Sequence, residues 1–195
     1  MTKKIEKFRD GVFALYTRRF GTVAEFMIEK MYDFEEPKNQ YHDRYDRINN
    51  KRIEIKFATA LISNKSKITF KNIIEQIFNA SMEKRALESI DIKTQIFDAN
   101  IQQIKADCFD ILYYGLFFTD KVIILKASSD EVLRMPGYSN KQHKNNEGEG
   151  QFHIKPDNID YHIKNYFEKE ITYEELYTLF GGKIRQKRKK DEQDD

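Results

Sequence analysis

A chain of 195 residues that is 39% hydrophobic and 13% aromatic can fill one sizeable core, which excludes global disorder and any need for disulfides to fold. A single cysteine, Cys108, excludes an intramolecular disulfide framework and suits a reducing, cytoplasmic compartment; no run approaches the roughly 18 apolar residues of a membrane span, and no apolar region follows the charged start MTKKIEKFRD as it would in a signal peptide. The net charge of +2 implies no polyanion partner by itself, but residues 38–71 set nine basic residues around three acids, Asp43, Asp46 and Glu54.

In chain order, residues 5–34 read as helix. Phe8, Val12, Leu15, Tyr16, Phe20, Val23, Met27 and Met31 recur every three or four residues, the spacing of one buried face. Gly21 interrupts the stretch, Thr22 with Glu25 forms a capping-box pattern for a second helix, and Pro37 closes the segment. Residues 44–48 and 52–58 read as a β-hairpin turning at Asn49-Asn50-Lys51, with Ile53, Ile55 and Phe57 on one face and Glu54 and Lys56 on the other. Residues 68–82 predict a helix with Ile73, Ile74, Ile77 and Phe78 on one face, whereas 84–105 have mixed periodicity. Residues 109–118 and 121–127 are apolar enough for strands buried on both faces, with Tyr113, Tyr114, Phe117 and Phe118 in the core. Ser128-Ser129-Asp130 can cap a short helix through Leu133. Residues 136–150 predict a long polar loop, of the kind that is functional or disordered, followed by a short strand over 152–154. Two helices are expected over 156–167 and 172–180, the second opened by Thr172 and Glu175 and closed by Gly181-Gly182. A single domain over 1–182 would then end in a charged, disordered tail, 183–195.

The hairpin carries the chemistry. With a three-residue loop at 49–51, Ile48 faces Arg52 and Asp46 sits opposite Glu54, with Lys56 on the same face. A slip of one residue would break this alignment. Two carboxylates that close repel unless a cation compensates them, and Mg²⁺ is suited to a site of one or two carboxylates, waters and a phosphate. A lysine beside them would orient the attacking water, the set of parts that hydrolyses a phosphodiester. The same pattern on an exposed strand also serves as plain surface charge.

Asp46-Arg47-Ile48, then Glu54-Ile55-Lys56 eight residues on in an apolar strand, resembles the PD-(D/E)xK nuclease superfamily, the type II restriction endonucleases most of all. The resemblance covers roughly residues 22–127. It implies an α/β fold with a central mixed β-sheet flanked by helices. It implies Mg²⁺, replaceable by Mn²⁺, on Asp46, Glu54 and the Ile55 carbonyl, with Lys56 positioning water. An upstream helix in such proteins commonly adds an acid, a role that falls to Glu25, with Glu29 in reserve. Tyr45 stands where the family's proline would precede Asp46, which leaves Asp43 as the other aspartate from which the motif could start; in the register above it would lie opposite Phe57, and Asp46 is preferred.

Arg44, Arg47, Lys51 and Arg52 flank the expected site as DNA-phosphate contacts or as solubilising charge. In the possible recognition region 136–155, Asn140, Lys141, Gln142, His143, Lys144, Gln151 and His153 carry side chains that can read base edges, or form an ordinary polar loop. Zinc is not expected, since neither a cysteine pair nor an HxxxH spacing is present. The expectation is a Mg²⁺-dependent endonuclease acting on double-stranded DNA at a short sequence, as a homodimer because two strands need two sites. A repair nickase, junction resolvase or exonuclease would use the same parts, and a DNA-binding module without catalysis is the third reading.

Overall fold

The computed structural model describes residues 1–63, 66–142 and 146–184, without the side chains of residues 83, 142, 146 and 147. It is an α/β protein built on a five-stranded mixed sheet and a three-stranded antiparallel one, flanked by helices. In chain order the elements are α1 (Lys3–Phe13), α2 (Thr17–Tyr32), β1 (Arg44–Asp46), β2 (Lys51–Thr59), α3 (Ile73–Phe78), α4 (Met82–Arg85), β3 (Ala99–Ile104), β4 (Ile111–Phe117), β5 (Lys121–Ser128), α5 (Ser129–Leu133), β6 (Ser139–Gln142), β7 (Asn146–Ile154), α6 (Ile159–Tyr166), β8 (Phe167–Thr172) and α7 (Tyr173–Leu179). No helix among the described residues is long and apolar enough to cross a membrane.

The large sheet runs β1-β2-β4-β5-β8, with β2 and β4 parallel and the other pairs antiparallel. One face, with Ile53, Ile55, Tyr113, Phe117, Val122 and Ile124, packs on α1, α2 and α7 through Phe13, Phe20, Met27, Ile28 and Leu176. The other face, with Leu112, Tyr114, Leu116, Ile123 and Leu125, packs on the small sheet β3-β7-β6 and on α5 and α6. Both faces of β4 and β5 are therefore covered, as their near-continuous apolar runs require. Gly115 sits at the tightest point: a Cβ there would lie 2.0 Å from the Ile123 carbonyl oxygen and 2.8 Å from the Phe57 ring.

Several elements differ from expectation. The N-terminal helical stretch breaks at Ala14–Tyr16 and not at Gly21, which lies inside α2; Thr22 donates its hydroxyl to the Arg18 carbonyl one turn back and caps nothing. The break lets Phe13 pack against Tyr173 and Phe20 against Phe117, two different parts of one core. The region 136–150 is not a plain loop: β6 and β7 form a hairpin that pairs with β3, itself unassigned by periodicity. Its Gly-rich stretch hides a strand because Gly150 leaves room for the Tyr138 ring, whose hydroxyl would otherwise meet a Cβ at 2.2 Å. β8 occupies the unassigned stretch between the two expected C-terminal helices, sharing only Phe167 and Thr172 with them. Two capping boxes, Ser128 with Glu131 and Thr172 with Glu175, open α5 and α7 where the sequence places them. The expected disordered tail lies, from residue 185 on, outside the described residues.

Candidate active site

The hairpin register decides which acid meets Glu54. Arg44 pairs with Ile53, Tyr45 with Arg52, and Asp46 with Lys51, so the loop is 47–50 and not 49–51. Asn50 takes a left-handed φ of 53°. Asp46 turns its carboxylate into this loop, accepting from the Ile48 amide (3.0 Å), the Asn49 amide (3.0 Å) and the Asn49 side chain (2.8 Å). Its slight burial raises its pKa, but these hydrogen bonds outweigh that and hold it low. The expected apposition of Asp46 to Glu54 is thus overturned. An aspartate that opens a turn prefers to hydrogen-bond the turn's own amides, a signal already present in Asp46-Arg47-Ile48-Asn49-Asn50.

Asp43 takes the place opposite Glu54. Its amide donates to the carbonyl of Ile53, the residue with which Arg44 pairs (3.0 Å). Its carboxylate accepts from the Ile55 amide (2.9 Å) and from Lys56 Nζ (3.2 Å). Lys56 Nζ also lies 2.5 Å from Glu54 Oε1. The two carboxylates therefore share one ammonium. Strand alternation explains the set: Ile53 and Ile55 point into the helical layer, which sends Glu54 and Lys56 to the other face, at the margin of the core between the sheets. Glu54 is buried, and burial first, with Asp43 and Glu25 adding to it against the pull of Lys56, raises its carboxyl above the usual range. Desolvation works to lower the Lys56 pKa, but Glu54 and Asp43 overcome it and hold the ammonium more firmly protonated than usual.

Glu25 approaches from α2. Burial first and then Asp43 raise its pKa, against Arg44 and Lys56. Its Oε2 is held by Arg44 Nη1 at 3.2 Å, while Arg44 Nε bonds Glu29 Oε2 at 2.8 Å and Nη1 donates to the Asp43 carbonyl at 2.6 Å. Arg44 is buried with Nε and Nη1 taken by Glu29, Glu25 and the Asp43 carbonyl, so its expected contact with DNA phosphate is also overturned: pairing with Ile53 turns its side chain toward α2. The same guanidinium clamps the aspartate's backbone to the helix that carries Glu25. Glu29, despite some burial, is held low by Lys30 and Arg44.

Two cleft regions meet here. One of about 220 Å³ is lined by His42, Asp43, Glu54, Lys56, Gln103 and Lys105. The other, about 710 Å³, runs past Glu25, Ile55, Lys56, Phe57 and β3, and Lys56 and Gln103 line both. Beyond Asp43, β1 leaves β2, so Ile55 and Phe57 turn their backbone groups toward this cleft. Gln103 is thrown into it by a β-bulge with a φ of 61°. His42 is buried with Nδ1 unpartnered among the described residues, and burial first and then Arg52 lower its pKa. Asp43 as the partner of Glu54, His42, Gln103 and Lys105 are the site residues that motif spacing missed.

Of the other expected contacts, Arg47 is exposed and paired with Glu35 (3.3 Å), and Lys51 is exposed on the hairpin. Arg52 is bound to Asp110 through Nη2 (2.9 Å) and Nε (3.2 Å) and to the Asp107 carbonyl (2.9 Å). Asn140 and Lys141 lie on β6, separated from β3 by β7 and so about 10 Å from it. Gln151 accepts from Asn100 (3.2 Å), and His153 Nδ1 meets Asp98 Oδ1 at 2.6 Å. His143, Lys144 and the side chain of Gln142 lie outside the described residues.

A cation would have limited protein ligands. Among the described residues, no three His, Cys, Asp or Glu stand in metal-binding geometry. Asp43 and Glu54 about one ammonium, with the Ile55 carbonyl on the open edge, fit the sparse protein shell that Mg²⁺ takes. Glu25 does not fit as a further ligand while Arg44 holds it. Comparison of the chain with protein-family models, with curated proteins and with solved structures finds no match.

Proposed function

We propose that this chain is a Mg²⁺-dependent endodeoxyribonuclease of the PD-(D/E)xK kind, cutting double-stranded DNA at a short sequence, with Asp43 rather than Asp46 as the motif aspartate. The observation that carries this reading is the convergence of Asp43, Glu54 and Lys56 at the unpaired edge of β2, facing a cleft. Asp43, Glu54 and the Ile55 carbonyl would hold Mg²⁺, which when bound supplies a Lewis acid for the phosphate and lowers the pKa of water. Lys56 donates to a phosphate oxygen and offsets its charge as the phosphorus is attacked. Glu25 and Arg44 act through Asp43, fixing its backbone against α2. Gln103 and Lys105, which line the same cleft, would touch the substrate.

The test is digestion of plasmid, branched and end-labelled DNA with Mg²⁺ or Mn²⁺ against an EDTA control. Discrete fragments from plasmid support a sequence-specific endonuclease. Cleavage confined to branched DNA or to ends moves the assignment to a resolvase or exonuclease with the same site. No metal-dependent cleavage of any substrate, or full activity in Glu54→Gln, overturns it.

A further inference from the structure

The segment from Ile68 to Met82 presents an apolar surface that the rest of the described chain leaves uncovered. Phe70 is 97% exposed, Ile74 69%, Phe78 66%, Ile77 65%, Ile68 61%, and Ile73 and Met82 39% each. α3 buries none of its side chains. Yet its positions 73, 74, 77 and 78 form the stripe by which a helix covers a core. The segment is defined locally: Asn72 Oδ1 accepts from the Thr69 amide (2.7 Å), Asn72 Nδ2 donates to the Lys67 carbonyl (3.2 Å), and Lys84 Nζ donates to the Phe78 carbonyl (2.7 Å). A helix of six residues with no covered face is far below the roughly 12–15 residues at which isolated helices become even marginal in water. Monomeric proteins rarely expose a continuous apolar patch beyond a few hundred Å².

Size and composition indicate the occupant. With roughly 180 Å² as the full surface of one large apolar residue, these exposed fractions amount to about 800 Å². That equals the roughly 800 Å² that each partner contributes to a specific interface. Residues 185–195, RQKRKKDEQDD, carry no apolar side chain. Within the segment itself Lys71 is matched by Glu75, where a helix lying on an anionic lipid surface would be dominated by Lys and Arg. A stripe of Ile and Phe flanked by both signs is self-complementary about a two-fold axis, since each residue and its counterpart meet twice.

We infer that residues 68–82 form a two-fold interface with a second copy of this chain, α3 packing against its own counterpart. This inference does not depend on the nuclease reading: of the residues named only Met82 lines a cleft of the site, and neither Phe70 nor Ile74 does.

Analytical ultracentrifugation of the full chain tests it. At about 100 μM, above the micromolar dissociation constants that mark the weak end for interfaces of this size, the expected mass is twice that of the monomer. Phe70→Glu with Ile74→Glu should return it to the monomer mass with an unchanged circular dichroism spectrum, since neither side chain packs inside the chain. Ile74→Cys with Cys108→Ala should give a covalent dimer with a short bismaleimide. A monomer at that concentration overturns the inference, whether the patch then binds anionic vesicles, a different protein or nothing. A dimer whose mass and crosslinking ignore both substitutions overturns the placement on α3.

Discussion

β2 and the segment 68–82 carry apolar patterns of similar clarity and meet opposite ends. On β2, Ile53 and Ile55 are buried beneath α2, and Glu54 and Lys56 are turned to the cleft. On α3, Ile74, Ile77 and Phe78 stand in solvent. The alternation on β2 is answered inside the chain, by parallel pairing to β4 and by the Phe20–Ile28 stripe of α2. The period on α3 meets no comparable surface. An amphipathic pattern therefore states how much apolar area needs cover, and not which chain supplies it.

The largest expected effects lie on the charged face of β2. Under the proposed function, Lys56→Ala, Glu54→Gln and Asp43→Asn should each lower the cleavage rate about 10³-fold or more, the several kcal/mol expected of groups that stabilise a transferring phosphate. Asp46→Asn should stay within a few-fold of wild type, because Asp46 serves the turn and not the trio. Single-turnover cleavage with Mg²⁺ measures all four, and an Asp46 variant as inactive as the Asp43 variant would restore the three-residue-loop reading of the motif.

On the other face of the same strand, Ile55→Ala should cost about 2–5 kcal/mol by leaving a cavity under α2, read as a lower urea midpoint with an unchanged slope. Arg44→Met follows, at about 2 kcal/mol. It leaves Glu29 and Glu25 without their shared cation, but Glu25 keeps solvent contact, so the cost falls below the roughly 3–5 kcal/mol of a fully buried pair. Adding Glu25→Gln and Glu29→Gln should recover part of that loss. A triple variant no better than the single one would make Arg44 a packing residue.

These residues also show how much was legible beforehand. Strands β2, β4 and β5, their burial, and the caps at Ser128 and Thr172 follow from local period and from single residues, whereas the box expected at Thr22 does not form. The trio was legible in kind, since Glu54 and Lys56 must share a face whatever the register. Its third member was not. Whether Asp43 or Asp46 faces Glu54 depends on one turn, and the competing interaction, Asp46 to the Asn49 and Ile48 amides, is worth only a hydrogen bond or two. The small sheet was hidden for a different reason. β3 and β7 contribute alternating Asn, Gln, Glu and Gly that acquire meaning only when paired with each other.

The pH dependence of stability sharpens the contrast within the trio. Burial first, then Asp43 and Glu25, raise the Glu54 carboxyl in the folded state above its unfolded value of about 4.3. The folded state then binds this proton more tightly than the unfolded state does. The group's contribution is therefore favourable in acid and is lost as pH rises through the folded pKa. Glu54→Gln should remove that slope, so the stability of the variant relative to wild type should grow from pH 4 toward neutrality by on the order of 1 kcal/mol. Urea midpoints at matched ionic strength across that range measure it, and a constant difference would mean that Lys56 already keeps Glu54 fully ionised.

The smallest expected effect is the counterpart of Ile55→Ala on the uncovered helix. Ile74→Ala removes the same atoms from the same residue type, but here they leave water rather than a core. In dilute solution, where the chain is monomeric, the cost should stay within about 0.5 kcal/mol, and alanine's higher helix propensity offsets part of it. At high concentration the two substitutions should diverge in kind. Ile55→Ala should lower stability equally at every concentration, whereas Ile74→Ala should lower it increasingly as association sets in, because mass action ties the apparent stability of a dimer to its concentration. Denaturation midpoints over a hundredfold dilution series separate the two. If Ile74→Ala costs as much in dilute as in concentrated solution, α3 is covered by its own chain and the contrast between the two regions fails.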